Sequence, residues 1–297
     1  MLIQQIIVSV AAIADSPAAP AVPITAIGVT TGVTTAVGSV LTAGALTPSG
    51  ATATYQWQNS TTSDGAYTNI NGATAITYNL ALSDVGKYLK VITTGSGSYS
   101  GTQTSVASAV VSDTNWLAVG TQVWAKYNLN VGTKVSDTTT QTNNAVLEKY
   151  CYSNIESNCT TYGGLYQWSE AMQYVNTQGA QGICPSGSHI PSNNDWKILE
   201  MQLGMTQVDA DSTGWRGTNQ GTKLKSGGSS GIDLPFAGSR INGGTFGSLS
   251  TNAFVWSSSE DGIMGAWYRG VASSFTTVLV NSLDKVGYGF SVRCLGN

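Results

Sequence analysis

Charge is what this chain has least of. Only 10% of its residues are Asp, Glu, Lys or Arg, against roughly 25% in ordinary soluble domains. The net charge is -3 and no segment carries a basic stripe, which argues against a nucleic-acid partner. Histidine occurs once, as His189, too few to complete an ordinary zinc set. No Cys-x-x-Cys pair is present. No apolar run approaches the ~20 residues that cross a bilayer as a helix, so no membrane span is expected. Cysteine is missing from the first half: Cys151, Cys159, Cys184 and Cys294 all lie in the second.

Small polar residues stand where charge is missing. The chain holds 35 glycines and long Ser/Thr/Asn runs, and at 41% hydrophobic it can still build cores. Its 297 residues suit two domains. Four cysteines allow three pairings, and two disulfides fit an oxidising compartment better than four idle thiols. Together these features point to an exported, mainly β protein, extracellular and on the cell surface.

Residues Leu2 to Ala14 are apolar. Ala12-Ile13-Ala14 before Asp15 resembles a signal-peptidase site. Ile3, Ile6, Ile7 and Val10 also match one helical face. Two readings stay open: an export signal, or a mature segment that inserts into a neighbouring subunit to build a homopolymer. Asp15 to Pro23, with three prolines, reads as an extended linker. Residues 1–23 therefore form an apolar segment and linker.

Residues 24–112 show short alternating strands: Ser39–Ala45, Ala53–Gln58, Thr77–Leu82, Tyr88–Thr93 and Ser105–Val111. Turn residues separate them, which predicts an all-β sandwich. Trp57, in Tyr-Gln-Trp-Gln, stands where a sandwich places its core tryptophan. Asp84-Val85-Gly86-Lys87-Tyr88 matches the Asp-x-Gly-x-Tyr of a tyrosine corner, whose hydroxyl ties down a crossing loop. The segment resembles bacterial immunoglobulin-like surface modules. It lacks both inter-sheet cysteines of antibody domains, and Lys90 stands two residues after Tyr88. Such modules serve mostly as spacers.

Residues 113–297 change texture. A polar loop, Ser136 to Asn144, precedes Cys151 and Cys159, which have seven residues between them. A local disulfide closing that loop is the natural pairing, which leaves Cys184 for Cys294. Tyr166 to Val175 reads as a helix. Pro185 and Pro191 fix the backbone on either side of His189. Ser192 is a good N-cap, and Asp195 three residues on can return the hydrogen bond. Trp196, Leu199 and Leu203 then lie on the buried side of a helix. His189 has the chemistry of a general base, but no nucleophile motif or paired acid sits near it in sequence. A structural role is expected.

Four motifs follow in order: Gly-Ile-Cys-Pro-Ser-Gly-x-His-Ile-Pro-Ser from Gly182, Trp256-Ser-Ser-Ser-Glu260, Ala266-Trp-Tyr-Arg269 and Gly289-Phe-Ser-Val-Arg-Cys-Leu295. Together they resemble the Fibrobacter succinogenes major paralogous domain, a repeated domain of exported bacterial proteins. Ser188 stands where that family commonly carries Trp. The resemblance implies a C-type-lectin-like α+β fold, so the whole chain is expected to be an immunoglobulin-like β-sandwich followed by a C-type-lectin-like domain. It does not imply an enzyme. The Glu-Pro-Asn, Gln-Pro-Asp and Trp-Asn-Asp motifs of calcium-dependent lectins are missing. No cofactor is therefore expected, and no motif supports calcium.

The leading expectation is a non-enzymatic structural or adhesive subunit of an extracellular assembly, filamentous or pilus-like. The alternative is a monomeric adhesin whose lectin-like module binds a carbohydrate or protein. Candidate ligand residues are Trp256, Trp267 and Tyr268, with Glu260, Asp261 and Arg269. Aromatic faces pack on apolar ligand faces while polar groups set orientation. The plain alternative makes Trp256 and Trp267 core residues of adjacent strands. Glu170, Glu200, Glu260 and Asp284 could supply the paired carboxylates of glycoside chemistry, but nothing in their spacing brings two together. Asn59 and Asn158 sit in Asn-x-Ser/Thr patterns.

Overall fold

A computed structural model describes residues 20–27 and 35–297. Ile3, Ile6, Ile7 and Val10 lie outside the described residues. Among the described residues the chain is mainly β; its α-helices are short and lie in the second half, and a single 3-10 turn, Leu82–Asp84, lies in the first.

Two long strands organise the N-terminal part. Ala53–Ser60 and Tyr88–Gly95 pair antiparallel along eight residues, from Ala53 opposite Gly95 to Ser60 opposite Tyr88. Thr102–Thr104 and Thr68–Asn69 flank them as edges. A second, two-stranded sheet pairs Val40–Thr42 with Thr77–Asn79. Leu41, Trp57, Leu80, Leu89, Val91 and Val111 fill the space between. Trp57 is fully buried, stacks on Tyr78 at 5.8 Å and donates its indole N–H to Ala75 O at 3.0 Å. Its expected core position holds.

Two local expectations need correction. The segment 105–111 is not a regular strand. Ser105 Oγ and Ser108 Oγ accept from Val91 N at 3.0 Å and Leu89 N at 2.9 Å. Side-chain oxygens thus stand in for strand carbonyls, as serine readily allows. Tyr88 makes no hydrogen bond through its hydroxyl among the described residues. The buried tie is made instead by Asp84, which accepts from Tyr78 Oη at 2.9 Å and Ala81 N at 3.0 Å.

The C-terminal part is built on a six-stranded sheet. Its order is Gly214–Arg216, Val278–Asp284, Gly265–Ala272, Asn252–Asp261, Ala237–Arg240, Phe246–Leu249. A smaller sheet joins Trp116–Val119, Gln122–Ala125, Leu295–Gly296 and Ser188–His189. The first strands of this part therefore pair with the last, Trp124 opposite Leu295. The helix Asn193–Gln202 starts as its sequence predicts: Ser192 Oγ accepts from Asp195 N, and Asp195 accepts from Ser192 N at 2.8 Å. Trp196 and Leu199 from this helix pack beneath Trp124, whose ring lies 4.7 Å from that of Trp196. A second core gathers Tyr166, Trp168, Trp256, Tyr268 and Phe290.

The helix expected over Tyr166–Val175 is only Trp168–Ala171. Gln173 and Tyr174 adopt left-handed φ values of 52° and 58°, which an α-helix does not accept. Tyr174 Oη instead turns back to Glu170 at 2.6 Å. Both disulfides form as the spacing suggests, Cys151–Cys159 and Cys184–Cys294.

The two parts share packing. Val85, beside Leu82, joins Trp116 and Val123 in one core cluster. Gly86 has φ +80°, and a Cβ there would lie 2.7 Å from Ala118 Cβ. Only glycine fits that approach without strain.

Candidate functional site

The six residues proposed as a ligand face divide between core and surface. Trp256 and Tyr268 face each other across paired strands and are buried among Phe254 and Phe290. Trp256 donates to Tyr166 O at 2.8 Å. Arg269 is also buried: its Nε bonds Glu200 Oε1 at 2.8 Å and its Nη2 bonds Asn193 O at 3.1 Å. Arg216 closes on the other oxygen of the same carboxylate. Burial pulls the Arg269 guanidinium below its ordinary range, and Glu200 opposes that pull. These three residues are not open to a ligand, because both faces of the sheet are covered: the aromatic core takes Trp256 and Tyr268 on one, and the Glu200 ion cluster takes Arg269 on the other. Trp267 is half-buried. Glu260 and Asp261 remain exposed, paired with Lys285 and Ser282 respectively.

The paired-carboxylate idea fares likewise. Glu200 is neutralised by two arginines and Glu260 by a lysine. His189 has both ring nitrogens engaged, Nδ1 with Asn297 Oδ1 at 2.6 Å and Nε2 with Asp195 Oδ2 at 3.5 Å. Its pKa is raised above the ordinary value, chiefly by the hydrogen bond to Asp195, against burial. Burial works against ionisation of Asp195, yet hydrogen bonds from His189 and Ser192 hold its carboxyl below the usual range. His189 thus ties the last residue to a helix start. It also lines a hollow of about 290 Å³ whose other wall includes Ser83 and Lys87 from the N-terminal part.

A different concavity stands out on the C-terminal part. Tyr127, Asn128, Asn130, Thr160, Tyr162 and Asp233 border a hollow of about 320 Å³. A second hollow of about 290 Å³ continues past Tyr127 and Asn130 to Val131, Ile183 and Pro185. The two share Tyr127 and Asn130 and so make one groove, mixed in polarity at the first hollow and mostly apolar at the second, with Tyr127 exposed between them.

Buried bonds hold the groove in shape. Arg293 is fully buried beneath it. Its guanidinium donates to Asn128 Oδ1 at 3.1 Å, and to Ala125 O and Ile232 O at 2.9 Å. Burial lowers its pKa to about 9, with Asp233 acting against the shift. Asn128 passes the connection on by donating to Tyr162 O at 2.9 Å. Asn130 accepts from Lys149 Nζ at 2.7 Å, and Lys149 also pairs with Glu156 at 3.1 Å. The helix Glu156–Tyr162, which carries Thr160 and Tyr162, is pinned by Cys151–Cys159. Three chain segments are thus fixed around one cavity by one arginine and one disulfide. Such a surface needs little reorganisation to bind a ligand. Its tyrosine rings and fixed amides suit a flat, hydroxyl-rich ligand.

No residue of the groove was singled out from the sequence as a ligand contact. The available signal was Arg293, one of few cations in the chain and set inside the Val-Arg-Cys-Leu motif; alternation alone would have turned it away from its buried neighbours.

No helix among the described residues is long and apolar enough to cross a membrane. No curated protein and no solved structure matches the chain. A family model described as the Fibrobacter succinogenes major domain matches residues 117–295, a stretch that contains the groove, both disulfides and the buried arginines. The chain belongs to the Fibrobacter succinogenes major domain family.

Proposed function

We propose that this chain is a non-enzymatic, exported protein of the bacterial cell surface, adhesive or structural in role. In this reading residues 24–112 are an immunoglobulin-like spacer and residues 113–297 a C-type-lectin-like head. The single observation that carries the adhesive role is the groove around Tyr127 and Tyr162, shaped in advance by Arg293 and Cys151–Cys159. Its ligand is a carbohydrate chain: tyrosine faces stack on the apolar faces of sugar rings, and Asn130, Thr160 and Asp233 bond hydroxyls. Both disulfides support the extracellular setting.

A glycan array probed with the intact chain and with Tyr127→Ala and Tyr162→Ala tests the groove. The reading expects one glycan class to be retained by the wild type and lost by both variants. Retention unchanged in both variants would remove the groove from the account.

Assembly into a homopolymer is the second reading. It is favoured by Ile263 and Met264 at the tip of the hairpin 252–272, 90% and 66% exposed. Apolar side chains held this far out commonly mark protein contacts. Deleting Met1 to Ala14 tests the part of the N-terminal segment; unchanged polymer formation would sink it.

A further inference from the structure

The tip of the hairpin 252–272 is a fixed apolar knob. Ile263 is 90% exposed and Met264 66%. Asp261 pairs with Gly265 across the turn, and Gly262 takes the left-handed φ of +68° that the bend requires. Lys285, buried just past the strand Val278–Asp284, fastens the tip from behind. Its backbone N bonds Met264 O and its Nζ bonds Ile263 O, both at 3.0 Å. The same amine pairs with Glu260 and lies over the Trp168 ring at 4.7 Å.

Apolar side chains held this far into solvent mark a contact with another molecule. A knob that is already ordered loses little entropy on docking. Its flanks set the chemistry of the partner. Glu260, Asp261 and Asp284 stand there against one cation, Lys285. An acidic collar disfavours an anionic lipid surface. It suits an apolar hollow with a basic rim.

This chain carries such a hollow. Leu129, Val131, Ile183 and Pro185 line the apolar end of the groove, about 290 Å³ in size. Lys126 stands beside Tyr127 on the groove's rim, and its amine makes no hydrogen bond or ion pair among the described residues. The other charges around the groove are matched, Lys149 by Glu156 and Asp233 by the buried Arg293. One positive charge is left over, opposite in sign to the collar of the tip. The exposure of Ile263 shows that the tip does not fill the hollow of its own chain.

We infer that the Ile263–Met264 tip of one copy seats in the hollow of Leu129, Val131 and Ile183 on a second copy, with its acidic collar against Lys126. This rests on the assembly reading above and supplies its contact. Knob and hollow are different surfaces, so the contact is head-to-tail and runs on from copy to copy. Only the apolar end of the groove is filled, which leaves Thr160 and Asp233 open to a sugar chain.

Sedimentation velocity of the intact chain tests the contact with two variants. Ile263→Asp with Met264→Asp removes the knob and spares the hollow. Val131→Glu spoils the hollow and spares the knob. All three side chains are exposed, so Tm should match that of the wild type in both variants. A contact this small belongs to the weak class, so the chains are compared at up to about 1 mM. The wild type should lengthen with concentration, and each variant alone should stay monomeric. Their equimolar mixture should give dimers and nothing longer, since each pair keeps one intact knob and one intact hollow. Lys126→Glu should weaken wild-type assembly about fivefold. Oligomers that persist in both variants would overturn the inference and leave assembly resting on another contact. A wild type that stays monomeric throughout would overturn the assembly reading with it. A mixture that forms no dimers would show that this knob and this hollow do not pair.

Discussion

Both ring nitrogens of His189 are engaged, and its raised pKa has a consequence for stability. The group favours the folded state when protonated. Its contribution is therefore complete below the ordinary value of about 6.5 and is lost as pH rises through the folded-state value. Asp195 has the opposite sign, its contribution being lost only as pH falls through its depressed value. Urea unfolding of wild type and His189→Gln should differ more at about pH 5.5 than at about pH 8.5. A pH-independent difference would contradict the Asp195 contact as the cause. Arg269 makes a second case. Removing it leaves Glu200 buried beside Arg216 alone, so Arg269→Met should cost on the order of 3 kcal/mol. A ligand-contact role would instead leave the unfolding midpoint unchanged.

At the scale of elements, loop length sets the worth of each disulfide. Cys184–Cys294 spans 110 residues and Cys151–Cys159 spans 8. Loop entropy assigns them about 5 and about 2.5 kcal/mol respectively. Replacing each pair by alanine and measuring guanidinium midpoints should give that order; equal losses would contradict it.

Elements also show what the sequence could reveal. The start of the helix Asn193–Gln202 was legible because a capping box is complete within four residues. Trp57 was legible because an aromatic in an alternating strand has one inward face. Arg269 was not, since its partner Glu200 is 69 positions away. The irregular segment 105–111 was not, because hydroxyls that replace carbonyls leave the alternating pattern intact. The groove was hidden for a related reason. Tyr127, Tyr162 and Asp233 come from separate segments, and the residue that unites them, Arg293, is near the end of the chain.

At the scale of the whole molecule, Gly86 lies at a close approach between the two parts. Gly86→Val adds side-chain atoms against Ala118 at a left-handed backbone position. Each part should stay folded, while small-angle scattering should report a larger radius of gyration and protease should cut more readily near residues 112–116. An unchanged scattering profile would show that the contact does not set the arrangement. The shared core through Val85 also fixes how the groove is carried, since Val85 packs with Trp116 and Val123 of the C-terminal part.

In the proposed role the groove faces the outside of the cell. Immunogold electron microscopy with an antibody to residues 117–295, on intact and on permeabilised native cells, tests it most directly. The account predicts equal labelling of both, on the outer surface, in rows if the chain polymerises and dispersed if it acts alone. Labelling only after permeabilisation would contradict it.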